Sequence, residues 1–190
     1  MGAANYLSDI MTSDQFLNWQ PPPYHPSDRW QLIDGVPCLM APSSPWHGAI
    51  QNRTAYLLTA YRDAHRPSCS SVTEPGVRPR VGATGNVRIP DFAVTCTPIG
   101  PDDKLLREPV VIVEVLSPSD RAETWTNVWS YVTIPSVRDI VVVYVVEMRI
   151  DLLRRNDDQT WPDDALVLMA GDTITLDSLG FTGPIEAFYR

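Results

Sequence analysis

Val110-Val111-Ile112-Val113-Glu114-Val115-Leu116 is a strand-like apolar run with a single acid set inside it. β-Branched residues dominate the run, and successive side chains of a strand point to opposite faces. Glu114 therefore shares a face with Ile112 and Leu116 and interrupts an otherwise apolar surface. A carboxylate there is costly to bury unless it is paired, protonated or bound to metal. Upstream, Pro90-Asp91 opens a second apolar stretch. Two carboxylates from neighbouring strands make an oxygen-rich set of the kind that suits Mg²⁺ or Mn²⁺. Spacing alone leaves a second arrangement open, in which Asp91 caps a turn and Glu114 pairs with an arginine such as Arg88.

Working outward, Trp30–Ile33 and Val36–Met40 flank Asp34-Gly35, whose two positions favour positive φ and so predict a hairpin. Ser44-Pro45 reads as a helix N-cap followed by the first helical residue. Ile50, Thr54, Leu57, Leu58 and Tyr61 continue at helical spacing, so a helix of about five turns is expected to end near His65. Strands are expected near Ser70–Thr73, Val87–Thr95 and Val110–Leu116, then a helix over Asp120–Tyr131. Ile140–Val146 is apolar on both faces, as a central strand covered on each side would be. Arg149–Leu153 is expected to pair with it, and Thr173–Leu176 to add a late strand. An N-terminal helix capped near Thr12 or Ser13 and a proline-rich connector occupy 1–29 in this reading. Strands mixed with two long helices indicate one α/β domain over 1–190, with a central mixed sheet flanked by helices.

With 190 residues, 44% of them hydrophobic, the chain can bury a core without a metal or disulfide staple. The start lacks a basic, apolar signal sequence, and no apolar run is long enough to cross a bilayer. Cys38, Cys69 and Cys96 have no metal-type spacing, which suggests reduced thiols and a cytoplasmic protein. Net charge is -8, against strong non-specific attraction to nucleic acid. Six arginines between Arg53 and Arg88 nevertheless face only Asp63 and Glu74, a basic island that could meet a phosphate backbone or simply be solvated. The glycines at 76, 82 and 85 are not followed by a phosphate-loop lysine, and no nucleophile elbow surrounds Ser44. Nucleotide binding and a serine-hydrolase site are thereby disfavoured.

Four segments occur in order: Trp30-Gln31-Leu32-Ile33-Asp34-Gly35, Met40-Ala41-Pro42-Ser43-Ser44-Pro45-Trp46-His47, Ile89-Pro90-Asp91 and Val113-Glu114-Val115-Leu116-Ser117-Pro118-Ser119. Together with Tyr131 and Ile134-Pro135-Ser136-Val137 they resemble the Uma-two family of restriction-endonuclease-type proteins, within the PD-(D/E)XK nuclease superfamily. The resemblance implies a restriction-endonuclease-like fold, DNA as substrate and a magnesium or manganese ion as cofactor. It also implies that Asp91, Glu114 and the Val115 carbonyl hold the metal, with His47 nearby.

Two departures from the family pattern bear on activity. Gln31 stands where the family usually has Glu, and Asn127 stands where it has a catalytic lysine, four residues before Tyr131. The one lysine of the chain, Lys104, lies in a loop before Glu114, and Arg88 and Arg121 are the other cations that could compensate. The expected function is a metal-dependent DNA endonuclease using Asp91, Glu114, His47, Gln31 and Asn127. The alternative is a catalytically inactive module of the same fold that binds DNA or a protein partner. Trp125 and Trp129, one helical turn apart, are expected to serve in the core or in a homodimer interface rather than to stack on bases.

Overall fold

The computed structural model describes residues 10–21 and 28–189. The expectations for the first residues of the chain, and for most of the proline-rich connector, fall on 1–9 and 22–27 and lie outside the described residues. A short helix, α1 (Ser13–Asn18), is capped by Thr12, whose hydroxyl accepts from the Gln15 N–H while the Gln15 side chain accepts from the Thr12 N–H. The hairpin of β1 (Trp30–Ile33) and β2 (Val36–Leu39) turns at Asp34 and Gly35, with φ of 49° and 83°. A side chain at Gly35 would also collide with Ile10.

The long helix α2 (Pro45–His65) begins where the Ser44 hydroxyl accepts from the His47 N–H. After it come β3 (Ser70–Thr73), β4 (Phe92–Thr95) and β5 (Pro109–Leu116). A 3-10 turn at Pro118–Asp120 leads into α3 (Arg121–Tyr131), then β6 (Asp139–Tyr144) and β7 (Arg149–Arg154). The last strands are β8 (Leu166–Met169), β9 (Thr173–Leu176) and β10 (Phe181–Pro184).

Six strands form one sheet in the order β3-β4-β5-β6-β7-β8. Only β5 and β6 run parallel, because α3 carries the chain back between them; the other pairs are antiparallel. Val111, Val113 and Val115 pack toward Ile50 and Leu58 of α2 and toward Ile174, Leu176 and Phe188. Ile112 and Leu116 pack on the other face with Val128 and Tyr131 of α3. Glu114, in step with Ile112 and Leu116, thus faces α3. A central mixed sheet flanked by helices is the architecture expected from the pattern of apolar residues.

Three expectations change. The strand expected over Val87–Thr95 is confined to β4, since Pro90 has no N–H to continue a ladder. Val87 and Arg88 instead make isolated bridges to Leu32 and Val77. The strands β8 and β10 add to the expected set; β10 pairs with β9 in a hairpin. Cys69 and Cys96, read as reduced thiols, form a disulfide, while Cys38 is free. The cause is register: Ser70 pairs with Thr95, so the next residues out are opposite each other. The thiol argument for a cytoplasmic location therefore loses its basis at those two positions. Among the described residues no helix is long and apolar enough to cross a membrane.

The arginines of the basic island mostly brace the fold. Arg53 Nε donates to the Ala187 carbonyl, Arg62 to Cys69 and Ser71, and Arg66 Nε to Leu179. Arg78 pairs with Asp14, and Arg88 is buried. Arg80 is exposed, so five of the six arginines are engaged or buried by the fold and the island is not one continuous free patch.

Thiol titration of the denatured, unreduced protein should find one reactive group, Cys38. Three thiols would contradict the cross-link.

Candidate functional site

Phe92 pairs with Val113, so the residue before β4 and the residue after Val113 come together at the edge of the ladder. Those residues are Asp91 and Glu114. Both line a small cleft of about 90 Å³ with Met40, His47, Val115, Glu123 and Asn127, which is room for roughly three waters at ~30 Å³ each. Asp120, just before α3, also lines it. Larger grooves of about 680 and 570 Å³ lie elsewhere, against Lys104 and against Trp125 and Trp129; neither contains the paired acids of the strands.

Asp91 is held from several directions. The Val115 N–H donates to Asp91 Oδ2 at 2.7 Å. The Asp91 carbonyl accepts from the Glu74 N–H at 3.1 Å and from Gln51 Nε2 at 3.1 Å. His47 Nε2 lies 3.4 Å from Asp91 Oδ2. His47 and Gln51 are one turn apart on α2, so one face of that helix serves the cleft. Ile50 is turned into the core, as expected, with Leu57 half-buried at its margin.

Glu114 is buried and accepts from the Tyr131 hydroxyl at 2.7 Å, not from Arg88. Its burial, reinforced by the Asp91 charge, raises its pKa well above the ordinary carboxylate value. Burial, and next the Glu114 charge, likewise push the Tyr131 phenol well up. At His47, burial works against the charged form. The hydrogen bond and charge of Asp91, with the Val115 carbonyl, outweigh it, and the net shift is upward.

The structure brings Asp91, Glu114, Val115, His47 and Asn127 to the cleft. Gln31 stands behind it, donating to Glu123 Oε1 at 2.7 Å. Gln31 Oε1, His47 Nδ1 and Asn127 Oδ1 are buried without partners. Lys104 is remote from this group: its ammonium donates to Leu17 O and Asn18 Oδ1 at the end of α1. Glu123 and Asp120 escaped the sequence reading. The signal for Glu123 was present, because Glu123, Asn127 and Tyr131 recur every fourth residue and share one face of α3.

The donor set fits a hard divalent cation. Two adjoining carboxylates, one of them disfavoured as an anion by burial, have no Lys or Arg paired with them among the described residues, only His47 beside Asp91, and the Val115 peptide stands next to them. Among the described residues no three His, Cys, Asp or Glu side chains form a metal-binding group, so water would complete the coordination. Mg²⁺ commonly keeps several waters beside one or two carboxylates.

A raised carboxyl pKa has a definite sign for stability. Folded Glu114 keeps its proton where the unfolded chain has lost it, so its contribution is complete below the ordinary value of 4.5 and disappears as pH rises through the folded value. Glu114→Gln should therefore melt higher than the parent in metal-free buffer at pH 7, by about 2–4 °C for each kcal/mol relieved. The gain should shrink toward pH 4, as followed by circular dichroism. An equal gain at both pH values would contradict a buried, protonated Glu114.

Two comparisons bear on family and fold. The structure superimposes on a crystal structure described as a putative nuclease belonging to DUF820 from Anabaena variabilis, with a TM-score of 0.73 at 16% identity. That match covers 94% of this chain and 97% of the other. At such low identity it speaks for the fold alone. No curated protein matches the chain. The model of the Uma2 family, described as "Putative restriction endonuclease", matches residues 13–186, so the chain belongs to the Uma2 family.

Proposed function

We propose that the protein is a metal-dependent endonuclease that hydrolyses DNA phosphodiester bonds in the Asp91–Glu114 cleft. The observation that carries this reading is the meeting of those two carboxylates beside the Val115 peptide, in a chain of the Uma2 family. Asp91, Glu114 and the Val115 carbonyl would hold Mg²⁺ or Mn²⁺. Such an ion supplies, when bound, a water of lowered pKa and charge neutralisation at the scissile phosphate.

The other residues act around that centre. His47 orients the Asp91 carboxylate, and its imidazole can hold a proton at Nε2 beside the reacting groups. Tyr131 donates to Glu114 and fixes which oxygen faces the cleft. Gln31 braces Glu123, and so the first turn of α3. Asn127 offers an amide N–H where the family pattern has an ammonium; it can donate a hydrogen bond but brings no charge. Loss of one preorganised donor typically lowers a rate by ~10²- to 10³-fold.

Asn127 also favours a second reading, an inactive module that keeps the fold to bind DNA or a protein partner. For association we read Trp129, half exposed beside Trp125, as the anchor of a two-fold homodimer. Light scattering should then give twice the chain mass at micromolar concentration, and a monomer would remove that reading.

Plasmid nicking separates the two functional classes. The parent should nick only with Mg²⁺ or Mn²⁺, and Asp91→Ala or Glu114→Ala should abolish nicking. Asn127→Lys should raise the rate by ~10²-fold through a restored charged donor. A folded, metal-loaded parent and Asn127→Lys that both fail to nick would sink the nuclease reading in favour of the binding module.

A further inference from the structure

Arg88 is 4% exposed, and its Nε and Nη1 have no hydrogen-bond partner. Among the described residues no carboxylate lies within ion-pair distance of it. A buried guanidinium without a paired acid is costly, so its charge must be answered less directly. Burial disfavours the charged form, while Tyr131, Asp34, Cys38 and Glu123 favour it.

Strand register shows where that charge acts. Leu32 and Val87 exchange N–H···O bonds of 2.8 and 3.0 Å across an antiparallel bridge. One step along, Gln31 stands opposite Arg88, and on its other side Gln31 is in register with Cys38. Cross-strand neighbours share a face, so Cys38, Gln31 and Arg88 form a row. Gln31 reaches from this row to Glu123 on α3. In front of it, the cleft carries Asp91, Glu114, Asp120 and Glu123, with His47 as its one basic side chain. Gln31 Oε1 and Asn127 Oδ1 are unpartnered acceptors in the same region, complementary to the unpartnered N–H groups of Arg88.

We propose that Arg88 is the positioning cation of the cleft: it balances Glu123 from behind β1, so that the Gln31–Glu123 bond fixes the face of α3 from which Asn127 enters the site. The catalytic consequence rests on the nuclease reading above, whereas the charge coupling does not. Arg88 does not line the cleft and acts through Gln31 and Glu123 rather than on substrate. Without its charge, Glu123 is an unbalanced acid in an already acidic site, and the first turn of α3 loses its fixed orientation.

Cys38, the one free thiol, reports on this row. Burial raises its pKa, Glu123 raises it further and Arg88 lowers it. Arg88→Met keeps the apolar stem and removes the charge. Cys38 alkylation by iodoacetamide, at a fixed pH below the thiol pKa, should then slow on the order of tenfold for each unit that the pKa rises. Arg88→Lys should retain most of the parent rate, and Glu123→Gln should react faster than the parent. In manganese-dependent nicking, Arg88→Met should lower kcat by roughly 10- to 100-fold with KM little changed, and Arg88→Lys should recover most of the loss. Equal thiol reactivity in the parent, Arg88→Met and Glu123→Gln would overturn the proposal, as would Arg88→Lys behaving like Arg88→Met. Thiol shifts as expected in a protein that never nicks DNA would overturn the nuclease reading and leave the opposed action of Arg88 and Glu123 on this row standing.

Discussion

The Val115 N–H that donates to Asp91 Oδ2 lies just beyond the point where β4 stops supplying partners to β5. The ladder partners of β5 on this side begin only at Phe92, and the Asp91 carbonyl is already taken by Glu74 and Gln51. The Asp91 side chain therefore stands in for the missing backbone acceptor, and in doing so comes to lie beside Glu114. The position of Asp91 is thus a property of the sheet edge and not of a flexible side chain. His47 and Gln51 then follow from the angle at which α2 crosses the same edge. An unpaired N–H inside a sheet is expensive enough to hold the whole arrangement in place.

Around that contact the protein gathers acids that, among the described residues, no guanidinium or ammonium pairs directly. Glu114 is answered by a phenol, Glu123 by an amide and Asp91 by a histidine and a peptide N–H. These are weaker counterparts than a guanidinium would be, and they leave the cleft acidic in character. The buried arginine is set back by one strand. A direct salt bridge from Arg88 to Glu114 would have neutralised the site and closed it to metal; Tyr131 makes no such claim on the charge.

Much of this was legible in the sequence because it is local. Asp34-Gly35, Ser44-Pro45 and the run around Glu114 each encode their geometry in a few adjacent residues, and the elements they mark fall within a residue or two of the expected bounds. β8 was not legible, since Leu166–Met169 is an edge strand whose pairing depends on β7 rather than on its own alternation. The pairing of Cys69 with Cys96 depends on a register between strands about two dozen residues apart, which spacing cannot reveal. The basic island misled for a related reason: composition counts charges, whereas Arg53, Arg62 and Arg66 reach backbone carbonyls that exist only once the chain is folded. Within the cleft, the strand acid was visible as a break in an apolar face. Glu123 was hidden because an acid in a first helical turn is ordinary.

The bond between Cys69 and Cys96 also closes a covalent ring of chain that contains Asp91 but not Glu114. Closing a loop of that length removes about 3.5 kcal/mol of freedom from the unfolded chain on the entropic account. A single peptide cleavage inside the ring would open it without releasing a fragment: the half carrying α2 and the half carrying β5 would remain one molecule until reduced. The two acids of the cleft thus belong to segments joined twice, once by the backbone and once by sulfur.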